Sequence, residues 1–147
     1  MTPLHVEAEG TSRADPEAVW SLVSDATTYA QWGPWDASGY ESPGDESAHG
    51  VGAIQWFRTG RTTSVERVLE IEEGRRLVYT VIRGIPVRNY RAEVTLTPTS
   101  AGTHIRWEGN WDTTLLGRIV HRKLRSFYPD MMARLVATAD LGVAASE

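Results

Sequence analysis

Between Gly39 and Trp111 the chain leaves no room for a crossover helix. Short runs of β-favouring residues are cut every few positions by turn-forming stretches: SPGDES, RTGR, EEGRR, RGIP and TPTSAG. Parallel strands need long crossover connections, so strands joined this tightly have to pair antiparallel. Tyr79, Val81, Tyr90, Val94, Leu96, Ile105, Trp107 and Trp111 fall on alternating positions, the pattern of a sheet with one covered face. A second element has to supply the cover.

The C-terminal third contains it. After Asp112, Thr113 and Thr114, any of which can cap a helix, Leu116, Val120, Leu124, Phe127, Met131 and Leu135 recur at spacings of four and three. Arg118, Arg122 and Arg125 lie on another face, read as the solvated side. Pro129 interrupts the stripe and costs about 3 kcal/mol inside a straight helix. It predicts a kink or local break, with the carbonyl of Arg125 left without its usual partner. At the other end, Leu4, Val6 and Ala8 alternate with His5, Glu7 and Glu9 as a half-buried strand. A helix follows, with Asp15 as N-cap, Pro16 at its first position, Glu17 in its first turn, and Val19, Leu22 and Val23 on its buried face. Ala26 to Trp32 supplies a second short helix, ended by Gly33-Pro34.

A chain of 147 residues makes one domain, and 41% hydrophobic with 23% charged residues excludes a disordered or fibrous class. The net charge of -4 argues against a nucleic-acid partner, whose phosphates call for a basic surface. With no cysteine there is no disulfide, thiolate nucleophile or sulfur metal site. His5, His49, His104 and His121 have no paired ligand spacing, so no metal is expected. GVG at 50–52 lacks the third glycine of a dinucleotide loop and precedes a strand, and no GxSxG elbow occurs, so no cofactor is expected either. The N-terminus has no leader pattern and no run of 18 apolar residues exists, which leads us to expect a soluble, unprocessed, cytoplasmic protein without an integral membrane segment.

The stretches DPEAVWSLVSDATTYAQWGPWD, GVGA at 50–53, VLEIEEGRRLVY at 68–79 and GTHIRWEGNW at 102–111 together resemble the polyketide cyclase/dehydrase family of the START-like (SRPBCC, helix-grip) superfamily. The resemblance covers nearly the whole chain and implies a single α+β helix-grip domain over 1–147. Its curved antiparallel sheet, of about seven strands, wraps a long C-terminal helix, with two short helices after the first strand and an apolar cavity between sheet and helix. That superfamily includes cyclases, lipid and hormone carriers and chaperone activators, so fold alone does not select a function. In its pattern Trp32 and Trp35 close the second short helix near the cavity rim.

Strand parity proposes the rest of the lining. Tyr90 shares a face with Ala92, Val94 and Leu96, which points it inward and places Arg88 at a pocket mouth. Trp107 and Trp111 share a face with Ile105, and Tyr79 with Leu77 and Val81. In the strand over 53–58, either Ile54 and Trp56 or Gln55 and Phe57 face in; Trp56 is preferred. The candidate ligand contacts are therefore Trp32, Trp35, Trp56, Tyr79, Arg88, Tyr90, Trp107, Trp111, Phe127 and Met131. Asp112 reads as a helix cap rather than a base. The leading function is binding of a small hydrophobic or aromatic, polyketide- or lipid-like molecule. One alternative is a polyketide cyclase or dehydratase in which Tyr79, Tyr90 or Arg88 polarises a carbonyl. Another is an interaction module using the convex sheet face or the arginine stripe on a protein or membrane surface. Ligand identity and oligomeric state are not legible.

Overall fold

A computed structural model describes residues 2–146. In chain order the elements are β1 (Leu4–Ser12), α1 (Pro16–Val23), a 3₁₀ turn (Ala26–Thr28), α2 (Tyr29–Trp32), β2 (Ala37–Ser42), β3 (Ile54–Thr59), β4 (Thr62–Glu72), β5 (Arg76–Arg83), β6 (Arg91–Thr99), β7 (Gly102–Trp111) and α3 (Leu115–Ser146). The strands form one antiparallel sheet in the order β1-β7-β6-β5-β4-β3-β2. Only β1 leaves sequence order, returning beside β7 after the meander is complete. This is the helix-grip α+β fold.

Local chemistry sets the element ends. The Asp15 carboxylate accepts from the Ala18 amide at 2.9 Å and Pro16 opens α1. At the start of α3 the cap is Thr114, whose hydroxyl accepts from the Gly117 amide at 2.8 Å, while Asp112 instead accepts from the Asn89 side chain. Four of the tight connections turn on glycines with positive φ: Gly60, Gly74, Gly84 and Gly102.

α3 runs unbroken through Pro129, so the expected local break does not occur. Arg125 and Pro129 are both exposed, so the interruption falls on the outer side of the helix and the core-facing side is untouched. The inward stripe begins later than its spacing suggested. Leu116 is 53% exposed, whereas Val120, Met131 and Leu135 are buried. Beyond Pro129 the helix lies directly on β1. A Cβ at Gly10 would stand only 2.9 Å from Val136 Cγ2 and 3.1 Å from Met132 Cγ. The Asp140 carboxylate fastens the far end, accepting from the Ser12 hydroxyl at 2.7 Å and the Arg13 amide at 2.9 Å.

The other face of the sheet is polar. Arg106 reaches Glu7 at 2.9 Å and Glu108 at 2.7 Å across β1 and β7. His5, Glu7 and Glu108 form the one trio among the described residues whose ligand atoms lie within 4.8 Å of one another. Histidine spacing in sequence could not reveal it, because it assembles across two strands. Its cationic position is already taken by the Arg106 guanidinium. Arg118, Arg122 and Arg125 are exposed along α3. Among the described residues, no helix is long and apolar enough to cross a membrane.

Candidate ligand cavity

Between the sheet and the first half of α3 lies an open cavity of about 430 Å³. A chain this rich in core aromatics could have filled the space and did not. Every wall contributes aromatic rings. Tyr29 comes from α2, Trp35 from the turn after it, Phe57 from β3, Tyr79 from β5 and Trp107 from β7. α3 closes the remaining side with Val120, Leu124, Phe127, Tyr128 and Met131.

Gly33-Pro34 turns the chain so that Trp35 folds back onto it. A Cβ at Gly33 would sit 2.2 Å from the Trp35 ring. Trp35 thereby touches Tyr29 at 5.2 Å, Phe57 at 5.5 Å and Phe127 at 5.5 Å between centroids, bridging loop, sheet and helix. The aromatic surface on this turn is thus cavity wall rather than solvent-facing loop. Trp32 stands behind it, buried, with its N–H donated to the Thr28 hydroxyl at 3.3 Å, and does not reach the cavity.

Deeper in, three hydroxyls cluster. The Trp107 indole N–H donates to the Tyr79 oxygen at 3.0 Å, and the Tyr90 and Tyr128 oxygens stand 2.5 Å apart. Gly109 makes room for them, since a Cβ there would lie 2.5 Å from the Tyr128 oxygen and 3.0 Å from that of Tyr90. Burial raises the phenol pKa of Tyr29, Tyr79, Tyr90 and Tyr128 well above the usual tyrosine range, so all four stay neutral.

One acid lines the cavity, and sequence reasoning missed it. Glu66 pairs with Gln55 on β3 and Val81 on β5 in the middle of the sheet. Ser64, Glu66 and Val68 face in, and ladder irregularities on either side, at Val65/Glu66 and Val68/Glu70, re-aim the strand around it. The carboxyl accepts from the Gln55 amide at 3.5 Å and the Ser64 hydroxyl at 3.3 Å, both long contacts. Burial pushes its pKa up to about 8, with those two donors pulling weakly the other way.

Of the ten expected contacts, Trp35, Tyr79, Tyr90, Trp107, Phe127 and Met131 line the cavity. Four do not. Trp56 faces the opposite side of β3, its ring over Gly39 with a Cβ there 3.3 Å away, so Gln55 and Phe57 hold the inner parity. Arg88 is exposed on the loop before β6, because Asn89 adopts φ 53 and breaks the alternation between Arg88 and Tyr90. Trp111 is buried but stacks on Tyr90 at 5.4 Å and donates to the Gly117 carbonyl at 3.0 Å, sealing the base of α3. Trp32 is the fourth. Around the portal, Thr59 and Thr62 of the β3–β4 hairpin, Ile85 and Pro86, and Ile119 and Lys123 of α3 form the rim. Leu115 and Ile119 beside it are 78% and 46% exposed.

Known structures share this architecture. A protein from Nitrosospira multiformis superposes with a TM-score of 0.75 at 19% identity, over 90% of this chain and 94% of that one. One from Thermobifida fusca gives a TM-score of 0.67 at 27% identity, over 95% and 91%. DynU16, a putative protein of the dynemicin biosynthetic locus, gives 0.72 at 19% identity over 95% of this chain but 48% of its own. No curated protein matches the sequence. Residues 3–140 match the family described as polyketide cyclase / dehydrase and lipid transport. With that match spanning nearly the whole chain, the chain belongs to the polyketide cyclase/dehydrase and lipid transport family.

Proposed function

We propose that this protein binds a small hydrophobic molecule carrying an aromatic or polycyclic part in the cavity between the sheet and α3. The single observation that carries the reading is the open, aromatic-walled space of about 430 Å³, a volume suited to small-molecule ligands. A packed core tolerates few voids, because an empty cavity sacrifices dispersion contacts on every wall. Rings held against one another by Trp35 form a preformed surface that loses little conformational freedom when a planar ligand slides between them. Family membership supports the same reading, and DynU16 comes from a biosynthetic locus.

Binding ranks ahead of catalysis on the tyrosines' own contacts. The Tyr79 oxygen already accepts from Trp107, and Tyr90 and Tyr128 share a hydrogen bond, so these hydroxyls are partnered within the protein. Arg88 stands outside the cavity and cannot polarise a carbonyl bound in it.

Val81→Trp tests the reading, since Val81 lies on the cavity wall and the larger side chain fills the space. Calorimetric titration of wild type with 1-naphthylmethanol and related neutral aromatic compounds is expected to give saturable heat. The variant, with unchanged circular dichroism, is expected to lose at least about tenfold in affinity. Equal binding by both proteins, or none by wild type across the panel, would overturn the proposal.

A further inference from the structure

Glu66 sets a requirement that a purely apolar ligand does not meet. Its carboxyl faces the cavity, makes only two long hydrogen bonds to neutral donors, and has no cationic side chain paired with it among the described residues. A carboxylate partly withdrawn from water, as the half-buried Glu66 is, is costly unless a positive charge or strong donors compensate it. The cavity that it lines is otherwise largely aromatic, with Phe57, Tyr79 and Trp107 from the sheet, Tyr29 from α2, and Phe127 and Tyr128 from α3. One anion inside an aromatic enclosure is the chemistry that recognises an organic cation.

We propose that the cavity takes an aromatic or polycyclic ligand bearing a basic amine, the ring system lodged among the aromatic walls and the ammonium seated on Glu66. The inference rests on the binding reading above and goes further by naming the ligand class. It ranks ligands in a definite order. A protonated amine replaces the missing counter-ion and gains cation–π attraction; a neutral alcohol gains only burial; a carboxylic acid brings a second negative charge and is rejected.

The charged and titratable neighbours leave Glu66 as the group that responds near neutrality. Tyr29 from α2, Tyr79 from β5, Tyr90 from the loop before β6 and Tyr128 from α3 all titrate far above this range, and Gln55 and Ser64 do not titrate. Lys123 stands on the portal rim, exposed, where its charge is solvated and screened. With the Glu66 pKa raised to about 8, the empty site holds a proton at pH 7. An ammonium ligand displaces that proton to the buffer, so binding strengthens as pH rises until the carboxyl is already ionised.

The test is calorimetry of the full chain with 1-naphthylmethylamine, 1-naphthylmethanol and 1-naphthoate at pH 6, 7 and 8, in two buffers of different ionisation enthalpy. Amine affinity is expected to rise by about tenfold from pH 6 to 7 and by about fivefold from pH 7 to 8, with roughly one proton released per amine bound at pH 7. Alcohol affinity stays flat with pH, and naphthoate binds most weakly. Glu66→Gln costs the amine at least about tenfold more affinity than it costs the alcohol at pH 8. Wild-type amine binding that is independent of pH and releases no proton would overturn the proposal without recourse to any variant, as would an amine no tighter than the alcohol at pH 8. If the alcohol binds and Val81→Trp blocks it while the amine shows no preference, this inference alone falls. If no compound binds wild type, the cavity reading falls with it.

Discussion

Glu66→Gln is expected to stabilise the protein at alkaline pH and to leave it unchanged at acid pH. The carboxyl has its pKa raised to about 8 in the folded state against 4.5 for the free group, so folding favours its protonated form. At pH 4 both folded and unfolded chains carry the proton, and glutamine is a close mimic of the neutral acid. Between pH 4.5 and 8 the unfolded chain ionises while the folded one does not, and wild-type stability falls with each unit of pH relative to the variant. Above pH 8 the difference levels off. Full conversion of the shift sets a ceiling near 5 kcal/mol; the cavity is open to water, so about 3 kcal/mol is the expected plateau. For a domain of this size that amounts to a rise in Tm of about 6 to 12 °C. Urea denaturation of both proteins at pH 4, 7 and 9 measures it. Asp140, Glu7 and Glu70, whose pKa values are lowered by their hydrogen-bond partners, act in the opposite sense, but identically in both proteins. A difference between the two that does not change with pH would refute the assignment of Glu66 as a half-buried acid held neutral by the cavity.

The second large effect is Trp107→Ala. Trp107 is 1% exposed, stands on β7 opposite Ala8 of β1 and Val94 of β6, and packs against both Tyr29 and Tyr79. Its removal joins a new void to an existing one, so the surroundings have little to collapse onto, and it deprives the Tyr79 oxygen of its indole donor. Substitutions of this kind cost about 3 to 5 kcal/mol, a large share of a typical domain's 5 to 15. The urea midpoint should drop accordingly, with the m-value retained. A loss below about 1 kcal/mol would show that the indole is not part of the packed wall. Trp111→Ala makes a useful contrast, because that ring seals the base of α3 outside the cavity and its loss should leave ligand binding far less altered than folding.

How much of this was legible from residues alone depended on whether alternation survived along each strand. β1 and β7 are regular, so Leu4, Val6, Ala8, Ile105 and Trp107 announced their inner faces directly. The Asp15-Pro16 start of α1 was equally plain. β4 was not readable, because Val65 and Val68 are both buried on opposite parities of TTSVERVLEIE, so Glu66 looks like one more solvated acid between valines. Its inward position follows only once Ser64 and Val68 are known to share its face. Trp56 was preferred over its aromatic neighbour Phe57 for the inner face, and the small Gly39 on the adjacent strand reverses that choice by giving the indole a place outside. Tyr128 was overlooked because the stripe of α3 counted Phe127 and left its neighbour to the next face, whereas a helix covering a cavity presents both. Arg88 illustrates a different limit: a single residue in the left-handed region, Asn89, ends the strand logic one position earlier than composition suggests.

The proline in α3 divides the helix into parts with different duties. Val120, Leu124, Phe127 and Tyr128 precede it and form most of the cavity's roof, which Met131 completes just past it; Met132, Val136 and Asp140 follow and are moored to β1. The ladder of amide bonds lacks a rung at this junction, since the Arg125 carbonyl has no N–H to receive at position 129. Flexural stiffness is therefore lowest where roof meets mooring, and a bulky guest that lifts the roof loads this joint before it loads the clasp between Ser12 and Asp140.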